Sequence, residues 1–426
     1  MSTELPHTQQ GIRRRNLSLV MHTVAAQGPL SRAAVAGRIG LTRAAVSTLV
    51  DELIRAELLV ELGPERPGTA QATGSAQPRP GTAQATGSSQ PHGSARTVGR
   101  PGNALTIGER GPVGLGAEIG VDRLAVCAVD LHGKVRAGAV LESDHRDSAP
   151  DPVLKELTRL VRQVTATVRG AGLKPAGLAV AVPGLVARDS HTVVRAPNLG
   201  WSDIDLGPHL LDALDGLPLS VDNEANLGAL AELWIGGDPA PQDFVHVSAE
   251  IGIGAAVVVG GRLLRGTHGF AGELGHVPVR PEGPPCRCGG RGCLEQYAGE
   301  EAVLRAAGLT PGEGRIGLLS ALAADGDQRV RKALRGAGSA LGIALAGAVN
   351  LLDPQTVVLG GALSKLAPWL LPSLERELGR RTADPERPGG GTVSVSRLGS
   401  QGPLLGAAHS VVQAVLDDPS AAPWNR

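Results

Sequence analysis

Three of the chain's four cysteines, Cys286, Cys288 and Cys293, fall within eight residues, and His276 lies ten residues before the first of them. No other stretch restricts the fold as tightly. Three thiolates and an imidazole are a ligand set for tetrahedral zinc. Gly289, Gly290 and Gly292 let the backbone turn sharply enough to bring the sulfurs together. The spacing Cys-x-Cys-x4-Cys differs from the common Cys-x2-Cys knuckle. The alternative is a disulfide with one spare thiol. A cysteine-poor chain without a secretory pattern argues for a reducing compartment and against that pairing.

Closure on a metal would organise more than a loop. A zinc-bound His276 keeps its second ring nitrogen for another hydrogen bond. Glu273 stands three residues before it, and Glu295 two residues after Cys293. Two carboxylates and an imidazole would then surround one spot. Carboxylates accept hydrogen bonds from vicinal hydroxyls, which points to a sugar. The alternative is that both glutamates are ordinary surface charges.

At 426 residues the chain has room for about three domains. No run of about 18 uncharged apolar residues marks a membrane span, and the N-terminus lacks a signal pattern, so a cytoplasmic protein is expected. The zero net charge hides an asymmetry. Residues 1–110 hold 12 arginines, no lysine and seven acids, a balance of +5. The remainder carries −5. A basic head on an acidic body suggests a polyanion partner for the head.

That head reads as a DNA-binding module. An apolar periodic run follows Arg13-Arg14-Arg15 and ends near Gln27. Ser31 then caps a short helix from Arg32, and Gly40-Leu41 turns into a third helix capped by Thr42. Helix, glycine turn and helix form the helix-turn-helix pattern. Its second helix would enter the major groove with Arg43 and Ser47. Leu58–Leu62 and Arg96–Ile107 read as the two strands of a wing. Arg100, between Gly99 and Pro101, would reach a narrow minor groove from the wing's turn. The candidate DNA contacts are therefore Ser31, Arg32, Thr42, Arg43, Ser47 and Arg100. The alternatives are a three-helix interaction module and a plain Gly-Pro linker.

Within the wing, Arg66–Pro78 and Arg79–Pro91 are two 13-residue copies that differ only at Ala76 against Ser89. With no large apolar residue, the segment 64–95 cannot bury a core and is expected to be disordered. From residue 111 onward, apolar strands alternate with helices in two rounds. The strand Leu178–Val182 runs into Pro183-Gly184, and Leu219–Val221 leads through Asp222-Asn223-Glu224-Ala225-Asn226 into a helix. Val245–Val247 restarts the pattern. Such alternation fits two α/β lobes around a cleft. Leu404–Leu416 reads as a last helix against the first lobe or at a dimer contact. The Ala- and Gly-rich helix Arg329–Val349 is expected near the same region. Cys127, inside an apolar strand, reads as core.

Several motifs carry a family resemblance. They are Ala-Gly-Glu-Leu-Gly-His at 271–276, Cys-x-Cys-Gly-x-x-Gly-Cys-Leu-Glu at 286–295, Pro197–Trp201, and Asn223–Asn226. The chain resembles transcriptional regulators of the ROK family, which groups repressors, open reading frames and sugar kinases, and within it the xylose-repressor-like branch. The resemblance implies an α/β fold: an N-terminal winged helix-turn-helix at 1–110, followed by a two-lobed actin-like, ribonuclease-H-like domain. The first lobe would span 111–244 and the second 245–426, with the zinc site in the second lobe and the C-terminal helix returning to the first. It implies structural zinc on His276, Cys286, Cys288 and Cys293. It implies a sugar pocket lined by Gly184, Asn198, Asn223, Glu224, Glu273, His276 and Glu295. The implied partners are operator DNA, a small sugar and a second copy, as homodimer or homotetramer.

A kinase of this family needs a general base and glycine-rich phosphate loops, and the chain departs from both. Glu224 stands where the base is usually aspartate, and the added methylene moves the carboxylate by about an ångström. The first phosphate loop, usually Asp-x-Gly-Gly-Thr, reads Glu118-Ile119-Gly120-Val121-Asp122. The second reads Glu250-Ile251-Gly252-Ile253-Gly254. Carboxylates replace phosphate-binding hydroxyls, which disfavours a triphosphate. The expected function is a sugar-responsive transcription factor without catalysis. The alternatives are an ATP-dependent sugar kinase with a DNA-binding head and a zinc-stabilised interaction module.

Overall fold

The structure is a computed structural model that describes residues 8–63, 103–237, 239–249, 252–310, 315–383 and 392–421. The duplicated insert, Arg100 and Glu250 lie outside these residues. The chain forms two compact units, one ending at Gly108 and joined by Asp418–Ser420, the other beginning at Glu109.

The first unit contains α1 (Gln9–Gln27), β1 (Leu30–Ser31), α2 (Arg32–Ile39), α3 (Arg43–Arg55), β2 (Leu59–Leu62) and β3 (Ala104–Ile107). Its core follows the helical period. Leu17, Val20, Met21 and Val24 of α1 bury one stripe, as do Val46, Leu49, Val50 and Leu53 of α3. β3 pairs antiparallel with both β1 and β2. Ser31 Oγ accepts from the Ala34 amide at 3.2 Å and Thr42 Oγ1 from the Ala45 amide at 3.3 Å, closing the first turns of α2 and α3. Gly40, left-handed at φ 72°, ends α2 and turns the chain into α3. Ser31→Ala should lower the stability of this unit by about 1 kcal/mol, read as a lower melting temperature.

The second unit has two lobes built on the same plan. The first lobe contains β4 (Pro112–Ile119), β5 (Arg123–Asp130), β6 (Val135–Glu142), α4 (Pro150–Gly170), β7 (Lys174–Val182), β8 (Leu185–Val186), β9 (Thr192–Ala196), β10 (Trp201–Asp205), α5 (Gly207–Leu210), β11 (Leu219–Asn223) and α6 (Glu224–Ile235). The second lobe contains β12 (Phe244–Ala249), β13 (Ile253–Val259), β14 (Arg262–Leu263), α7 (Glu295–Ala298), α8 (Glu300–Ala307), α9 (Arg315–Ala324), α10 (Gln328–Leu352), β15 (Thr356–Gly360), α11 (Gly361–Arg381), β16 (Val393–Val395) and α12 (Gly402–Asp417).

The main sheets run β11-β7-β4-β5-β6 and β16-β15-β12-β13-β14. Each is an antiparallel meander continued by two parallel strands. The central strands are buried on both faces and are mostly apolar; β4 is buried throughout, Glu118 included. A small antiparallel sheet, β10-β9-β8, extends the first lobe.

β4 turns into β5 at Gly120–Asp122, where the Gly120 amide donates to the Arg123 carbonyl at 2.8 Å. One sequence expectation needs correction. The helix expected at Arg329–Val349 is α10, and it does not lie beside the last helix. It packs on α11 in the second lobe, where Gly338 and Gly342 let it approach the Leu370 and Leu374 carbonyls closely. Composition alone could not choose between two small-residue helix faces. α10 is long and apolar enough to cross a membrane, but more than half of its most apolar window is buried in this core.

α12 returns to the first lobe, on β4, β5 and β7, and packs along α6. Gly114 and Gly116 admit its backbone: a Cβ on either would collide with a carbonyl of α12. α6 in turn packs on β12 and β13. These two helices join the lobes behind the cleft. Cys127 is buried beside Ala408 of α12, and burial pushes its thiol up to about 12.

Candidate functional site: the interlobe cleft and its cysteine–histidine knuckle

The cleft forms a cavity of about 190 Å³. Its floor comes from the ends of β7 and β11 and the start of α6. Its far wall comes from the segment 272–276, the cysteine loop and α7.

Local sequence explains why these side chains face inward. The segment before His276 lies flat on β13. Gly272, at φ 103°, fits against the Ala255 carbonyl and Gly275 against that of Ile253, and a Cβ on either would collide. This fixes Glu273 and His276 on the cavity side. Gly184, at φ 152°, lets the turn after β7 press against Arg195 and Ala196 of β9. Asn223 caps α6: its Oδ1 accepts from the Ala225 amide at 2.7 Å and its Nδ2 donates to the Gly184 carbonyl at 2.7 Å. Asn223 therefore holds the Gly184 turn as well as lining the cavity. Glu295, the first residue of α7, accepts from the Ile253 amide at 3.3 Å. A Cβ on Gly252 would collide with its carboxylate.

All seven expected sugar-contacting residues, Gly184, Asn198, Asn223, Glu224, Glu273, His276 and Glu295, line this one cavity. Burial, with Glu118 nearby, raises the Glu224 carboxyl to about 7. Burial also raises Glu273 above the usual carboxylate value, with the nearby His276 pulling the other way.

His276, Cys286, Cys288 and Cys293 converge, with one ligand atom from each within 4.8 Å of all the others. Cys286 Sγ is 3.7 Å from His276 Nδ1, and Cys288 Sγ is 3.7 Å from Cys293 Sγ. A tetrahedron with Zn–S of ~2.3 Å has edges of ~3.8 Å, so the donor set and its spacing fit zinc. All four cysteines are free thiols, so the disulfide alternative is not formed. His276 Nε2 faces away from the sulfurs, 3.8 Å from the Glu273 carboxylate. A metal on Nδ1 would fix the tautomer that donates from Nε2 into the cavity.

The first candidate phosphate loop is closed by its own residues. Arg123 donates to both carboxylate oxygens of Glu118, at 2.9 and 3.1 Å, and to the Ser400 carbonyl at 2.9 Å. Burial still raises the Glu118 carboxyl despite Arg123. Arg123 stands five residues from Glu118 across the β4–β5 turn, and sequence reading missed it because neither the fold-back at Gly120–Asp122 nor the contact with Ser400, 277 residues away, is written in that stretch. Sequence reading also missed Arg265, which pairs with Asp222 at 2.7 Å, while Asp222 binds the Asn226 side chain at 2.8 Å. No sequence pattern announces that pairing. Arg287, another cavity residue, sits between Cys286 and Cys288 and was readable from its place in the motif.

In the first unit, Ser31 and Thr42 serve as helix caps. Arg32 is held internally, by Asp51 and Glu61 at 2.7 Å each and by the Ser47 carbonyl at 3.2 Å. Arg43 is exposed on the first turn of α3 and Ser47 is half-buried one turn on.

Residues 114–414 match the ROK family. The chain belongs to the ROK family. It is 28% identical over 413 residues to the xylose repressor of Bacillus subtilis, covering 96% of this chain and 98% of that protein. A ROK family transcriptional regulator, a homologue of Escherichia coli Mlc, superposes at TM-score 0.75 with 28% identity over 96% of this chain and 97% of its own. A ROK glucokinase from Streptomyces griseus, solved with glucose and AMPPNP, superposes at TM-score 0.61 with 27% identity, covering 70% of this chain and 98% of its own. The regulators match nearly the whole ROK chain; this kinase leaves about a third of it unmatched.

Proposed function

We propose that the chain is a sugar-responsive transcriptional repressor. One observation carries this reading: a helix-turn-helix unit and a carboxylate-lined cleft occur in one chain, matched over 96% of its length by a xylose repressor. α3 enters the major groove with Arg43 and Ser47, while Arg32 braces α3 against β2. Arg100 is the candidate contact on the wing. Two copies bind two half-sites, as a homodimer or homotetramer in the cytoplasm.

In the cleft, Glu273, Glu295 and Asn198 bind sugar hydroxyls, and His276 donates from Nε2. Gly184 offers backbone at close approach, oriented by Asn223. Zinc held by His276, Cys286, Cys288 and Cys293 would supply rigidity, keeping Glu273 and Glu295 in register. Sugar binding across both lobes favours one degree of closure, and operator DNA and sugar then change each other's affinity by the same factor.

A duplex selected from a random library and followed by fluorescence anisotropy tests this. A sugar from a pentose, hexose and amino-sugar panel should release the duplex, and Arg43→Ala should weaken binding by about 1–3 kcal/mol. Sequence-independent binding with no sugar response overturns the reading.

One observation favours a kinase: a carboxyl at about 7 on Glu224 suits a general base. Arg123 counts against it, since its ion pair with Glu118 closes the loop that would hold phosphate. ATP-dependent sugar turnover that Glu224→Gln abolishes would establish the kinase instead.

A further inference from the structure

We propose that Arg265, which stands outside the sugar cavity, is a positioning residue for it: by clamping Asp222 from the opposite lobe, it holds the two sides of the cavity together. This rests on the sugar reading above and names what sets the grip of that site.

Arg265 follows β14 in the second lobe, and Asp222 lies in β11 of the first. Their ion pair, at 2.7 Å, therefore crosses between the lobes. Neither residue lines the sugar cavity. Both line a separate cavity of about 430 Å³.

Each end of the arginine is tied to one side of the sugar site. Its carbonyl accepts from the Ala271 amide at 3.2 Å, two residues before Glu273. The loop between them lies against the first lobe, where a Cβ on Gly269 would meet the Val186 carbonyl and Arg188. Its guanidinium donates to one carboxylate oxygen of Asp222. The other oxygen accepts from the Asn223 amide and from Asn226 Nδ2, at 2.8 Å each. Asn223 in turn donates to the Gly184 carbonyl at 2.7 Å. One run of bonds thus joins the wall that carries Glu273 to the floor made by Asn223 and Gly184.

The pair differs from a solvated surface contact, which contributes little. The Asp222 side chain is 15% exposed, and three donors fix its orientation. Hydrogen bonds between charged partners are about twice as strong as neutral ones. Moving the lobes apart by a few ångströms would break this one. A sugar that touches both lobes favours the same arrangement, so pair and sugar reinforce each other.

The test uses the full-length, zinc-loaded protein and calorimetry with whichever of glucose, xylose and N-acetylglucosamine it binds most tightly. Arg265→Ala should weaken that binding about tenfold. Arg265→Lys, which keeps the charge, should lose about threefold or less. Arg265→Gln guards against an alanine variant that fails to fold and should match its loss, with zinc content and melting temperature as folding controls. Because these sugars are uncharged, rising salt should weaken binding by the parent and leave Arg265→Ala unmoved, which narrows the gap. Asp222→Asn should weaken binding as well, and adding Arg265→Ala to it should cost about twofold or less further. An Arg265→Ala protein of unchanged affinity, a gap indifferent to salt, or losses that simply add would each overturn the proposal and leave the sugar reading standing. Failure of all three sugars to bind the parent overturns both.

Discussion

Cys293→Ser is expected to drop zinc from about one ion per chain to near zero, and to weaken sugar binding by about a hundredfold or more. Cys293 is buried behind the knuckle at 2% exposure and does not line the cavity. Its loss would therefore act on the sugar only through the metal. His276→Ala is less informative, because that imidazole faces both the sulfurs and the cavity. Without the ion, three thiols and an imidazole no longer hold one another, and the loop between His276 and Glu295 gains conformational freedom. Glu273 and Glu295 then lose their fixed separation. A chelator should reproduce the loss, and added zinc should restore it in the parent but not in the variant. A Cys293→Ser protein that keeps one equivalent of zinc, or keeps its sugar affinity, would rule out the metal-held pocket.

Arg123→Ala should destabilise the second unit by about 3–5 kcal/mol near neutral pH, because it leaves the buried Glu118 charge without its partner. Glu118 is 4% exposed, and its carboxyl already titrates above the usual carboxylate value. A carboxyl raised in the folded state favours folding while it is protonated, and that contribution fades as pH rises through the folded value. The Arg123→Ala penalty should therefore be smallest in acid and grow toward neutral pH. Adding Glu118→Gln should recover much of the loss, since no buried charge then remains. Denaturant midpoints across pH 4–8 would show this. A penalty that is flat with pH, or unrelieved by Glu118→Gln, would mean that Arg123 acts through packing and the Ser400 contact alone.

Much of the site was legible because its parts are local. The thiols and His276 are spaced within 18 residues, and glycines flank them. Asn223 and Glu224 stand at a strand-to-helix junction that the apolar pattern reveals, with Asn223 as an ordinary cap. The caps Ser31 and Thr42 were readable for the same reason. Arg32 was not. It sits in a basic head and looks like a DNA contact, but Asp51 and Glu61, 19 and 29 residues on, take up its donors. Net charge says how many cations a segment holds, and only packing says which of them remain open.

The sequence by itself determined the helix-turn-helix, the two rounds of strand and helix, and the knuckle's ligand types, because each is written in short-range periodicity and side-chain chemistry. The return of α12 to the first lobe was expected from the family resemblance; tertiary structure alone decided that α10 packs on α11, since a small-residue face fits more than one neighbour. It also decided that Arg123 reaches the Ser400 carbonyl and that Arg265 pairs with Asp222. Such contacts are settled by distances of a few ångströms between segments far apart in the chain, which no local pattern encodes.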